Sequence, residues 1–261
     1  MEGIDDAPTI RRTLEDNGCA TEREEMKLPP SHNNLSLRRK LYDLLAALPL
    51  IAWYLFGLIQ ILPPTTDQIL LAKLFIQTDP SLLPPFLVLG ILSKICTIIF
   101  FAVLVVMFAV RHEPLDYPIR FYPRFSAGAG AFLGIGILLL APQELSFGLY
   151  LLSMLLVIGG TLFAVWTTLT LARSISIVPQ ARKLVTSGPY AFIRHPLYLG
   201  EFFVLFGIAL QHSVPWGMLL LVVQTMFQFQ RMKNEECVLA RAFPNYEEYR
   251  ARTARLLPGV Y

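Results

Sequence analysis

"PFLVLGILSKICTIIFFAVLVVMFAV", Pro85 to Val110, carries a single charge, Lys94. A helix needs about 20 predominantly apolar residues to cross a hydrocarbon core of roughly 30 Å. This stretch therefore predicts a membrane-spanning helix. Working outward, five more apolar runs appear: Leu41 to Leu62, ended by Pro63-Pro64; Ser126 to Ala141, short and glycine-rich; Phe147 to Ala172; Pro196 to Gln211; and Trp216 to Gln230. The runs at 41, 85 and 147 are long enough to span. The other three are short, and the last two read as thin spans or a tilted hairpin.

Composition agrees. The 261-residue chain is 54% hydrophobic and only 16% charged, with a mean hydropathy of +0.53. Soluble domains run nearer a quarter charged. The net charge of +3 is too small to suggest nucleic acid as a partner. No basic and aromatic residues interleave in the nucleic-acid pattern.

Basic residues between the runs set the expected orientation. The arm before the first run holds Arg11, Arg12, Arg23, Lys27, Arg38, Arg39 and Lys40, and the next loop only Lys73. Arg111, Arg120 and Arg124 follow the second run, and residues 142–146 have none. The 173–195 loop has Arg173, Arg182, Lys183 and Arg194, the loop at Ser213 has none, and the tail is again rich. The alternation is the positive-inside pattern of six spans with both termini in the cytosol. The expected fold class is all-α: an integral membrane bundle of about six helices with a C-terminal cytosolic cofactor-binding segment. Residues 1–38 read as a disordered or loosely helical cytosolic arm, in which Thr9 to Asn17 could form a short helix without a strong signal for one. Residues 39–172 hold the first four helices, and residues 173–261 the loop, the hairpin and the tail.

The acidic start "MEGIDDAPTIRRTLEDNG" lacks an apolar signal-peptide core. Cys19, Cys96 and Cys237 form no CxxC pair, so neither a disulfide framework nor a metal site is expected. In "GAGAFLGIG", Gly130 and Gly134 lie four apart, flanked by Gly128 and Gly136. That spacing predicts close helix packing, within one chain or between two, and leaves the oligomeric state open.

Polar chemistry concentrates around the last two runs. "SGPY" reads as a turn, in which Pro189 fixes φ and Gly188 permits close backbone approach. "RHP" then starts a helix, with Pro196 in the first turn. Alone, His195 reads as a helix-start residue bonded to backbone. Gln224, Gln228, Arg231 and Glu235, however, fall at i, i+4, i+7 and i+11, on one helical face. Such a stripe is costly at lipid depth unless it lines a cavity or faces protein. Snorkelling to the headgroups is the simpler alternative; the cavity is the reading favoured here.

"RSISIVPQARKLVTSGPYAFIRHPLYLGE", followed by "RMKNEECVLARAFPNYEEYRARTARLLPG", resembles the isoprenylcysteine carboxyl methyltransferase family and the related phospholipid N-methyltransferases. The resemblance covers Arg173 to Gly259. It implies S-adenosylmethionine as cofactor, wrapped by the C-terminal cytosolic segments rather than by a Rossmann domain. It implies cofactor contacts at Gln180, Leu184, Val185, Gly188, Pro189, Tyr190, His195, Tyr198, Leu199, Glu235 and Glu236. Arg231 and Glu235 become the catalytic candidates. Arg231, Arg194, Glu201 and Gln228 become the substrate-binding candidates. Pro244 departs from the usual glycine of the family's "FG" step, and Glu201 stands where animal enzymes carry an aromatic residue.

The implied reaction is methyl transfer to a lipophilic acceptor, an isoprenoid or prenylcysteine-type carboxylate or a lipid amine, from the cytosolic side. Membrane lipids and a lipophilic or prenylated substrate are the expected partners. Three rivals stand beside this reading. One is an NADPH-dependent reductase of the membrane sterol type, usually a longer chain. Another is a non-catalytic binding protein that kept the pocket. The third is a transporter, suggested by Lys94.

Overall fold

The computed structural model describes residues 33–112, 121–177 and 180–259. The expected arm and its Thr9 to Asn17 helix lie outside the described residues up to position 32. The first helix, α1, already begins at Asn33 and runs to Thr78. After a single 3-10 turn, Pro80–Leu82, α2 occupies Pro85–Val110. Next come α3, Phe121–Phe132, which tightens into a 3-10 stretch at Leu133–Leu139, and α4, Phe147–Leu171. A 3-10 turn at Gly188–Ala191 precedes α5, Pro196–Leu210, then α6, Trp216–Ala242, and α7, Tyr246–Arg252. The described residues form no sheet, only two isolated bridges. The protein is an all-α membrane helical protein.

Among the described residues, three helices are long and apolar enough to cross a membrane: Asp43–Thr78, Pro85–Val110 and Phe147–Ser174. Phe125–Leu139 and Pro196–Leu210 are shorter apolar helices. At a rise of about 1.5 Å per residue, the 15 residues of α5 fall short of the hydrocarbon thickness.

One expectation is corrected. Pro63-Pro64 does not end the first helix, which continues through both prolines. Proline removes a backbone donor and breaks helices in water. In lipid no water satisfies a freed carbonyl, so neighbouring Ser and Thr side chains often do. The Thr65 hydroxyl donates to the Ile61 carbonyl at 2.6 Å and the Thr66 hydroxyl to the Pro63 carbonyl at 2.7 Å, adding bonds in the turns beside the Ile59 and Gln60 carbonyls that the two prolines leave without a helical donor. The cysteines bring a second correction: Cys96 is free and buried, but Cys237 is disulfide-bonded.

The core is a crossing of α4 and α5 made possible by glycine. A Cβ on Gly160 would lie 2.9 Å from both the Gly200 carbonyl and the Val204 nitrogen. A Cβ on Gly207 would lie 2.7 Å from the Ser153 carbonyl. The Ser153 hydroxyl donates to the Gly207 carbonyl at 2.8 Å, so the crossing is also hydrogen-bonded. Gly160→Val is therefore expected to cost about 1–3 kcal/mol through forced separation, read as a lower melting temperature in detergent. Unchanged melting would contradict the close crossing.

The glycine-rich run packs similarly, within the chain. A Cβ on Gly130 would lie 3.3 Å from the Phe227 carbonyl carbon on α6, and one on Gly134 only 2.8 Å from the Leu205 side chain. Gly136 meets Leu220 at an ordinary 3.6 Å, whereas Gly128 faces open space and adds nothing to the contact. These crossings hold the α5–α6 hairpin against α3 and α4, which sets the position of the polar cluster at its open end.

Candidate functional site

The hairpin returns the start of α5 and the second half of α6 to the same end of the molecule. There residues 174–177 and 180–195 and α7 close over them. The tail is stitched along the "IRH" triplet. The backbone N–H of Arg194 donates to the Ala254 carbonyl at 2.8 Å, and that of His195 to Arg255 at 3.1 Å. The Tyr249 hydroxyl donates to the Tyr190 carbonyl at 2.7 Å, fixing the "GPY" turn to α7. Gly188 adopts φ +59°, the left-handed region, with Thr170 Cγ2 3.1 Å from where a Cβ would sit. Only glycine suits that turn.

These segments enclose one cleft. Gln180, Leu184, Val185, Tyr190, His195, Tyr198 and Glu235 all line it, as does Arg194. Gly188 and Pro189 form the frame of the turn rather than the lining, and Leu199 lies on α5 away from it. The lining brings together apolar, aromatic, acidic and donor groups from across the last ninety residues.

The paired acids of α6 divide their work. Glu236 is an ion-pair centre. Arg255 reaches it at 2.7 and 2.9 Å, Arg194 Nε donates at 2.9 Å, and His195 Nε2 lies 3.1 Å away. Burial alone would raise its carboxyl. Hydrogen bonds from His195 and Arg255 and the charge of Arg194 overcome this and hold it well below the usual range. Glu235 faces the cleft instead. It accepts from the Tyr198 hydroxyl and lies 3.9 Å from His195 Nδ1. The His195 and Tyr198 rings stack at 5.4 Å.

The stripe on α6 faces protein, and Glu235 carries its end into the cleft. Gln224 donates to the Gly130 carbonyl at 2.8 Å, and Gln228 to Glu201 at 2.7 Å. Arg231 is buried, with its guanidinium 4.7 Å above the Tyr198 ring and an N–H donating to the Ser176 carbonyl at 3.3 Å. Its Nε approaches Glu235 at 3.3 Å as an ion pair without hydrogen-bond geometry. Two buried polar atoms here, Arg231 Nε and Gln228 Oε1, thus have no hydrogen-bond partner. Arg231, Glu201 and Gln228 sit behind the cleft, toward the membrane helices, rather than on its lining.

Several lining residues escaped sequence reasoning: Ser174, Ser176, Arg182, Lys183, Leu239, Tyr246 and Tyr249. The two tyrosines were findable, because their i, i+3 spacing places them on one face of α7. The Tyr246 hydroxyl is buried without a partner. Among the described residues, no group of three or more His, Cys, Asp or Glu is placed to hold a metal ion.

The fold and cleft define a helical membrane protein whose candidate site is a cleft assembled from its C-terminal segments. Residues 149–246 match the model of the phospholipid methyltransferase family, related to the isoprenylcysteine carboxyl methyltransferases that the motifs resemble. The chain is 30% identical over 82 residues to the nickel-cobalt-cadmium resistance protein NccN of Alcaligenes xylosoxydans xylosoxydans. That match covers 31% of this chain and 38% of the relative. It is 35% identical over 78 residues to the cobalt-zinc-cadmium resistance protein CzcN of Cupriavidus metallidurans, covering 30% and 36%. The matched segment thus spans well under half of either relative.

Proposed function

We propose that this protein is an S-adenosylmethionine-dependent membrane methyltransferase acting on a lipophilic acceptor from the cytosolic side. The observation that carries the reading is the convergence of Gln180, Leu184, Val185, Tyr190, His195, Tyr198 and Glu235 on one cleft. The family match over 149–246 supports it.

The residues present fit the cofactor. Glu235 offers a carboxylate to a sulfonium cation, and the tyrosine faces attract the same charge. Leu184, Val185 and Leu239 supply apolar surface. The unpartnered Tyr246 hydroxyl offers a hydrogen bond to a polar group of the ligand. When bound, S-adenosylmethionine supplies an already activated methyl group. The protein's own task is then to position the acceptor and exclude water.

Arg231 is held for that purpose between Glu235 and the Tyr198 ring. Its Nε–H, which makes no hydrogen bond, and the Gln228 amide oxygen offer a donor and an acceptor to a polar head whose tail lies among the helices. A carboxylate acceptor needs no base. An amine acceptor gives up a proton, which Glu235 or Glu201 is placed to take. Thermal unfolding in detergent is expected to shift upward with S-adenosylhomocysteine and not with NADPH. The reverse pattern would favour the reductase. Labelled methyl from S-adenosylmethionine should then enter a lipid fraction only in the presence of the protein. Binding without transfer to any lipid extract would favour the non-catalytic reading.

A further inference from the structure

Asp43 lies on the first part of α1, far outside the family-matched segment, yet it is bonded to Arg182 of the cleft wall. Its carboxylate holds two arginines at once. Arg111, just past the end of α2, donates from Nε at 2.8 Å and from a terminal nitrogen at 3.0 Å. Arg182, on the loop that walls the cleft, donates from both terminal nitrogens at 3.1 and 2.8 Å. The Arg182 side chain is fully buried, at 0% exposure. One of its terminal nitrogens continues to Gln180 Oε1 at 2.6 Å, and the Ser176 hydroxyl reaches the same oxygen at 2.9 Å.

This chain has a chemical consequence. With two donors on Oε1, the Gln180 amide is fixed in one sense, oxygen inward. Its nitrogen is the end left to donate, on a residue that lines the cleft. A buried guanidinium stays in place only while its charge is met. Asp43 is the carboxylate that meets it.

We infer that Asp43 is a positioning residue of the cofactor cleft, acting through Arg182 to present Gln180 as a hydrogen-bond donor to the bound cofactor. The inference rests on reading the cleft as the S-adenosylmethionine site. It gives the membrane helices ahead of the matched segment a part in cofactor binding. Arg111 serves a separate end, tying α1 to α2.

The test is calorimetric titration of the full-length, detergent-purified protein with S-adenosylhomocysteine. Asp43→Asn is expected to weaken binding about tenfold or more. Asp43→Glu, which keeps the carboxylate, is expected to recover most of the affinity. Arg111→Gln, which breaks the α1–α2 tie but leaves the Asp43–Arg182 pair, is expected to bind like the unaltered protein. Equal losses in Asp43→Asn and Arg111→Gln would overturn the inference, because the contact would then be only a support of the helix pair. Unchanged affinity in Asp43→Asn would also overturn it. If Asp43→Asn does not fold, Arg182→Lys decides. It keeps the charge but loses the fork that joins Asp43 to Gln180, so unchanged affinity there overturns the inference. No binding by the unaltered protein would instead remove the cofactor reading on which the inference stands.

Discussion

Glu236→Ala is expected to release the C-terminal tail and to cost about 3–5 kcal/mol, the usual penalty for breaking a buried ion pair. Glu236 is 6% exposed and gathers Arg194, Arg255 and His195 around one carboxylate. Removing it takes away the carboxylate that two guanidiniums, 10% and 11% exposed, share. Arg194 also donates to the carbonyls of Arg250 and Thr253, so the loss spreads along the tail. Melting in detergent should fall sharply, and limited proteolysis should cut first after residue 242. Unchanged melting and an intact tail would show that the backbone bridge and the Arg194 and Tyr249 hydrogen bonds hold the tail without Glu236.

The same carboxylate sets a pH dependence. Its folded value lies below the ordinary glutamate value of 4.5. The stability it contributes is therefore fully present above that value and is lost as pH falls toward the folded one. Melting should be insensitive to this group from neutrality to about pH 4.5 and should decline only at greater acidity. Glu236→Gln should flatten that acid limb.

Arg231→Ala should separate binding from chemistry. Arg231 sits behind the cleft rather than on its lining, so affinity for S-adenosylhomocysteine should change little. Methyl transfer should fall about 100-fold or more, the scale of loss from a misplaced reactant. Arg231→Lys, which keeps the charge but not the planar fork, should fall between. Full turnover in a cofactor-binding Arg231→Ala protein would remove the acceptor role given to this residue. Equal loss of cofactor affinity in both variants would place Arg231 in the cofactor site instead.

The helices that pack in the membrane were largely legible. The run from Pro85 to Val110 and the helix coincide, and the starts of α4, α5 and α6 fall on Phe147, Pro196 and Trp216 as the runs do. Apolar runs are bounded by polar or turn residues, and lipid enforces the helix between them. Pro63-Pro64 ends a helix by the rule that holds in water, which is why the sequence alone stops the first helix too early. In lipid the helix persists because nothing outside it satisfies its backbone.

The site was legible where short motifs carry it and illegible where distant segments meet. "GPY" and "RHP" are local, and the polar face of α6 follows from helical spacing. The contact from Asp43 to Arg182 spans 139 positions, and that from Arg194 to Glu236 spans 42. No period or motif links such pairs; only the hairpin and the returning tail do. The division of labour between Glu235 and Glu236 has the same origin. Adjacent residues on a helix point about 100° apart, and only the packed tail decides which one meets the arginines.

The central claim is that the cleft binds S-adenosylmethionine. Its most direct test is calorimetric titration of S-adenosylhomocysteine into the detergent-purified protein, beside His195→Ala and Glu235→Ala. A dissociation constant in the micromolar range is expected for the unaltered protein, with binding lost in both variants. A well-folded protein that binds no S-adenosylhomocysteine would contradict it.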